Sequence, residues 1–197
     1  MRYVVVGAGP AGVVAAETLR AHDSEAEVML IGGEPEPAYS RMAIPYLLAD
    51  QIAESGTYLR HQADHFERLG IAQIQDRVTA IGSDDRTLQL GSGQQLSYDR
   101  LLLATGSRPV MPPIEGLAQP GIHHCWTLED ARNIIANSEA GSDVVLIGAG
   151  FIGSHVVGGL CLHEQITTIL GPARQHGHKA GGGQQHARQV EPARGEQ

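Results

Sequence analysis

The run RYVVVGAGPAGVVAAETLR, from Arg2 to Arg20, decides how the rest of the chain is read. Tyr3-Val4-Val5-Val6 is uncharged, aromatic and β-branched, and Gly7 ends it, which is the pattern of a strand buried on both faces. The segment Gly7-Ala8-Gly9-Pro10-Ala11-Gly12 follows, with its three glycines in GxGxxG spacing. Each glycine has its own task in such a turn. The first makes the tight bend, the second lets a diphosphate approach the backbone, and the third lets helix and strand pack closely. Val13, Val14, Ala16, Thr18 and Leu19 then supply the apolar face of a helix expected over residues 11–22. Its free N–H groups and the positive end of its dipole point at the turn.

Glu27 to Ile31 reads as the next strand and completes a βαβ unit. A glycine-rich turn by itself also occurs as a plain strand-to-helix connection. A strand before it and a helix after it make a dinucleotide the implied ligand. In such units an acidic side chain about twenty residues past the turn accepts hydrogen bonds from a ribose. Glu34 stands at that distance; the competing reading is a solvated charge in the Glu-Pro-Glu-Pro loop.

The whole chain sets the bounds. Its 197 residues suit one or two domains, and 42% hydrophobic content with only 4% aromatic implies a mostly aliphatic core. A formal charge of −8 leaves no basic stripe for nucleic acid. The two cysteines, Cys125 and Cys161, have no metal-binding or disulfide spacing, so no metal site is expected and a reducing compartment fits. Gly7, Gly9, Pro10 and Gly12 interrupt any signal-like apolar region, and no run approaches the roughly 18 apolar residues of a membrane span. A cytoplasmic protein without a membrane partner is the expectation.

Downstream, Pro35, Pro37 and Pro45 make residues 33–46 a loop or a broken entry to a helix, and 63–69 is helical up to Gly70. Residues 71–75, 77–81, 87–90 and 95–97 read together as a β-meander. Leu101 to Ala104 reads as another buried strand, breaking at Thr105-Gly106, which places its end at the carboxyl edge of a sheet where α/β folds bind ligands. A proline-rich connector over 109–120 leads to a helix at 128–137 with Thr127 as its N-cap and Glu129 and Asp130 in its first turn. Val144 to Ile147 is then a second buried strand, running into Gly148-Ala149-Gly150-Phe151-Ile152-Gly153. This second complete GxGxxG implies two dinucleotides rather than one.

With both turns and Ala104-Thr105-Gly106 in place, the chain resembles the two-dinucleotide flavoproteins of the pyridine nucleotide-disulphide reductase family over about Met1 to Leu160. The resemblance implies an α/β architecture of Rossmann-like parallel sheets with an inserted β-meander, an incomplete form of the two-dinucleotide-binding-domain flavoprotein. It implies that Gly7, Ala8, Gly9, Pro10, Ala11 and Gly12 hold FAD, with Glu34 on its ribose and Ala104, Thr105 and Gly106 beside the flavin. Gly148, Gly150, Phe151, Ile152 and Gly153 would hold NADH or NADPH. Tyr39 to Tyr46 is similar to the NADH oxidase, coenzyme A-disulphide reductase, rubredoxin reductase and nitrite reductase branch, which makes Arg41 an FAD contact. Where members with thiol or peroxide chemistry carry cysteine, this chain has Met42, and a thioether forms neither thiolate nor disulfide. The implied activity is an FAD-dependent NAD(P)H oxidoreductase: hydride passes from nicotinamide to flavin and electrons leave to a redox protein or small molecule, with no side chain assigned a catalytic role.

Several features depart from that pattern. His155 stands where a glutamate is usual, and Ile166 to Leu170 ends without a ribose-binding acid. Members of the family are longer. The segmentation expected is an FAD-binding part over 1–108, the start of an NAD(P)-binding domain over 109–170, and a polar, glycine-rich tail over 171–197. The tail composition cannot bury enough apolar surface to offset ordering entropy, so disorder is expected for it, His176, His178 and His186 included. A truncated or frame-shifted reading frame would give such a tail, and a homodimer is expected only of a full-length form. The alternative function is a dinucleotide-binding fragment without turnover. A single-domain sugar-nucleotide enzyme is disfavoured, because Lys179 is the only lysine and Gln175, not tyrosine, stands four before it.

Overall fold

The computed structural model describes residues 1–117, 119–139, 142–148, 156, 166–170 and 188–189. In chain order the elements used below are β1 (Arg2–Val6), α1 (Pro10–His22), β2 (Glu27–Gly32), α2 (Ile44–Leu48), α3 (His65–Arg68), β3 (Ile71–Gln75), β4 (Val78–Gly82), β5 (Thr87–Leu90), β6 (Gln95–Ser97), β7 (Arg100–Leu103), α4 (Leu128–Asn137), β8 (Asp143–Ile147), β9 (Ile166–Leu170) and β10 (Arg188–Gln189). The chain divides into two compact units, Met1–Arg41 with Glu54–Pro113, and Met42–Ala53 with Ile114–Gln197.

In the first unit β1 is the inner strand of a parallel sheet of order β3-β2-β1-β7. Val5 stands beside Leu30 of β2 and Leu102 of β7. Because side chains alternate between faces along a strand, β1 serves two cores at once. Val5, with Val28 and Leu30 of β2, packs with Val13 and Ala16 of α1 and with Phe66 and Ile71. Val4 and Val6, with Ile31, pack on the other side with Leu88 and Leu90 of the antiparallel β4-β5-β6 meander. The three valines of β1 are therefore covered on both faces, each fully buried valine or leucine contributing ~1.5–3 kcal/mol. The helix-facing residues of α1 are narrower than the sequence suggests: Val13 and Ala16 are buried, while Val14 faces solvent.

Three sequence expectations are corrected here. Ile71–Gln75 is not part of the meander, but pairs parallel with β2 through Val28–Ile71 to Gly32–Gln75. Its short link to β4 imitates a hairpin; what makes β3 parallel is the long crossover between residues 33 and 70 that returns to the same sheet. Second, β7 is not a buried strand, since Leu102 and Leu103 are 42% and 55% exposed on an edge strand of the sheet. Third, the equally apolar β8 leaves Val145 and Ile147 61% and 50% exposed. An apolar run reports that a strand exists, whereas its burial depends on which neighbours the tertiary structure supplies.

In the second unit, α2 packs with α4, burying Ile44, Leu48, Leu128 and Ala131. Thr127 caps α4 as expected: its hydroxyl accepts from the Asp130 N–H, and the Asp130 carboxylate accepts from the Thr127 N–H. β8 and β9 pair parallel, in register from Asp143–Ile166 to Ile147–Leu170, and β10 pairs antiparallel with β9. Apart from Arg188–Gln189, the tail expected to be disordered lies outside the described residues, as do His163, His176, His178 and His186. Among the described residues no helix is long and apolar enough to cross a membrane, and no group of three or more His, Cys, Asp or Glu side chains is placed to hold a metal ion.

Candidate functional site

The turn between β1 and α1 is built by close approach of backbone to backbone. Gly7 has φ +117°, and its N–H donates to the Ile31 carbonyl at 2.8 Å. A Cβ at Gly7 would stand 2.1 Å from the Ala104 carbonyl oxygen and 3.1 Å from the Thr105 nitrogen, so the end of β7 lies directly against the turn. A Cβ at Gly12 would stand 1.7 Å from the Gly7 carbonyl oxygen, which seats α1 on the turn. Gly9 is different, because a Cβ there would meet nothing within 4 Å. Two glycines are thus needed for packing and the middle one borders open space.

That open space lies at the start of α1. Gly9 is the N-cap of α1, no side chain caps it, Pro10 occupies the first turn, and the first turn carries no acidic residue. The first N–H groups of a helix have no intrahelical acceptor, and the dipole adds positive potential there. Ala8 closes one side: a Cβ at Gly32 would come within 2.9 Å of the Ala8 Cβ. Gly32 was not singled out from sequence, although a glycine ending β2 opposite the turn is the signal for it. Thr105 and Gly106 are exposed, and Gly106 has φ +66°.

Beyond β2 the chain gathers polar side chains that lie apart in sequence. Glu34 is not a solvated loop charge. Tyr39 Oη donates to Glu34 Oε2 at 2.5 Å, and Arg41 Nη2 donates to Glu34 Oε1. Arg41 also hydrogen-bonds the Tyr39 hydroxyl, and its Nη1 reaches the Ser107 carbonyl at 3.5 Å. Burial first, and the Glu34 hydrogen bond second, push the Tyr39 phenol up to about 12. Sequence reading found Glu34 and Arg41 separately and missed Tyr39 and Ser107, which carry no motif of their own and enter through the fold of the 33–41 loop.

The second turn is described only at its start. Gly148 follows β8 with φ +121°, close to the value at Gly7, and the β8–β9 pairing is parallel like β1–β2. Ala149, Gly150, Phe151, Ile152, Gly153, His155 and Cys161 lie outside the described residues. Cys125 is half-buried, and burial together with the Asp130 charge pushes its thiol up to about 11, away from thiolate chemistry.

A glycine turn at a helix start on one parallel sheet is followed by a second strand-and-glycine start on another. Residues 1–173 match the family model described as pyridine nucleotide-disulphide oxidoreductase. The chain belongs to that family. Within it, this oxidoreductase-family chain is 33% identical over 168 residues to an NADH oxidase of Methanocaldococcus jannaschii, covering 81% of this chain and 38% of that protein. It is 33% identical over 174 residues to the ferredoxin--NAD(+) reductase component of an anthranilate 1,2-dioxygenase system of Burkholderia cepacia, covering 87% and 42%. Among solved structures, the covalent putidaredoxin reductase-putidaredoxin complex superposes with a TM-score of 0.78 at 32% identity, covering 86% of this chain and 42% of that one. The chain therefore spans about two fifths of the length of these relatives.

Proposed function

We propose that this chain forms the FAD-holding part, residues 1–108, and the start of the NAD(P)H-holding part, residues 109–170, of a flavin-dependent NAD(P)H oxidoreductase. The observation that carries the reading is the contrast among the three glycines of the first turn: backbone fills the Cβ positions of Gly7 and Gly12, while that of Gly9 is open at an uncapped helix start. The open approach to the Gly9 backbone suits a diphosphate, with the N–H groups at the start of α1 as donors. Glu34 would accept from the adenosine ribose, Arg41 would supply fixed donors nearby, and Ala104, Thr105 and Gly106 would border the flavin. Gly148 would begin the corresponding cradle for NADH or NADPH, a role that the GxGxxG spacing extends to Gly150, Phe151, Ile152 and Gly153.

When bound, the flavin supplies the redox chemistry, taking hydride from the nicotinamide and passing electrons onward. The protein's share is to bind and orient. No sulfur step is proposed at position 42, where Met42 offers a thioether that forms neither thiolate nor disulfide. Kinship with a ferredoxin--NAD(+) reductase component and with a reductase linked to putidaredoxin supports a small redox protein as electron acceptor. The test is anaerobic titration of the FAD-loaded protein with NADH and with NADPH. Bleaching of the flavin absorbance supports the reading. Protein that takes up no flavin overturns it, and protein that binds flavin without bleaching leaves the alternative of a dinucleotide-binding fragment without turnover.

A further inference from the structure

Glu34 is gripped from two sides before any ligand is considered. Tyr39 Oη donates to one carboxylate oxygen, Arg41 Nη2 donates to the other, and Arg41 also bonds the Tyr39 hydroxyl, so the three side chains close a ring of hydrogen bonds. The Tyr39 side chain is itself fixed from outside this ring. It is 7% exposed, and its backbone forms an antiparallel bridge with Tyr58. Neighbouring backbone is tied the same way, with Leu59 N–H donating to the Ala38 carbonyl at 2.8 Å and Ser40 N–H to the Thr57 carbonyl at 2.9 Å. Tyr39 is thus a fixed point, and Glu34 is what it holds.

An ionised carboxylate has about four lone-pair directions, two on each oxygen. Among the described residues, Tyr39 takes one on Oε2 and Arg41 one on Oε1, which leaves one acceptor direction on each oxygen. Two vicinal hydroxyls match that remainder. We infer that Tyr39 is a positioning residue: its hydroxyl on Oε2, opposite Arg41 on Oε1, fixes the orientation in which the Glu34 carboxylate receives the two hydroxyls of an adenosine ribose. This rests on the FAD reading of the first cradle. A phenol whose ionisation is pushed up to about 12 remains a donor at any working pH, consistent with the role.

The test compares FAD with an FAD analogue built on 2′,3′-dideoxyadenosine, both titrated into apoprotein and followed by flavin fluorescence. Wild-type protein is expected to prefer FAD by about tenfold or more, the scale of hydrogen bonds to a charged group. Tyr39→Phe keeps the ring and is expected to weaken FAD several-fold while leaving the analogue within twofold, so the preference collapses. In a Glu34→Ala background the same substitution is expected to change neither ligand. A merely structural role for Tyr39 predicts equal weakening of both ligands, and that result, or an unchanged FAD affinity, overturns the inference. A wild-type protein that binds both ligands equally overturns the inference alone. Binding of neither overturns the flavin reading and the inference with it.

Discussion

Substituting alanine at Gly9 and at Gly12 separates binding from folding within one turn. At Gly12 the new methyl would sit 1.7 Å from the Gly7 carbonyl oxygen, about half the ~3.3 Å at which carbon and oxygen ordinarily meet. Both partners are backbone, so no rotamer relieves the overlap. α1 has to move off β1, and Val13 and Ala16, both fully buried, lose their packing. Such overpacking costs about 3 kcal/mol or more, a fall in Tm of roughly 6–12 °C for a chain of this size. At Gly9 the methyl meets nothing, and φ −78° with ψ −177° suits alanine. The cost there is that of a poorer N-cap, about 1 kcal/mol or less, and Tm falls by no more than about 4 °C. The same methyl would occupy the space assigned to the diphosphate. Losing one or two hydrogen bonds to a charged group weakens FAD binding by at least about tenfold. Thermal melts of apoprotein followed by circular dichroism, paired with flavin fluorescence titrations, read both quantities. A Gly12→Ala protein that melts like wild type, or a Gly9→Ala protein that binds FAD like wild type, refutes the assignment of tasks to these glycines.

Other outcomes follow from polar contacts away from the cradle. Glu17 on α1 takes a forked pair from Arg60 at 2.7 and 2.5 Å and a contact from His65 Nε2 at 2.7 Å. The Arg60 hydrogen bond holds the Glu17 carboxyl below its ordinary 4.5, against desolvation and with help from His65. A lowered folded value means that the stabilisation is complete above pH 4.5 and is lost as pH falls through the folded value. The Tm gap between wild type and Glu17→Gln should therefore close on acidification, and a gap that widens in acid contradicts the sign. Cys125, with its thiol raised from 9.0 to about 11, should alkylate with iodoacetamide at pH 8 some ten- to hundredfold more slowly than N-acetylcysteine, as followed by peptide mapping. Thr127→Ala should cost about 1 kcal/mol by breaking the capping box and should speed amide exchange at residues 128–131; Thr127→Ser should restore protection.

The local elements follow closely from residues near them in sequence. β1, α1 and β2 are where the apolar runs and the glycine turn place them, and α4 spans Leu128–Asn137 with Thr127 capping it, because caps and periodicity act over a few residues. Tertiary structure decided what depends on partners distant along the chain. It placed Ile71–Gln75 in the parallel sheet rather than in the meander, and left Leu102, Leu103, Val145 and Ile147 exposed on strands as apolar as β1. It also turned Glu34 from one acid in a proline-rich loop into the centre of a ring with Tyr39 and Arg41. Glycine spacing alone marked the close-packed turn between β1 and α1, since the need for a missing Cβ is written in the residue type. The occupant of the fourth side of a strand and the partner of a loop carboxylate are set by long-range packing, which short-range patterns do not encode.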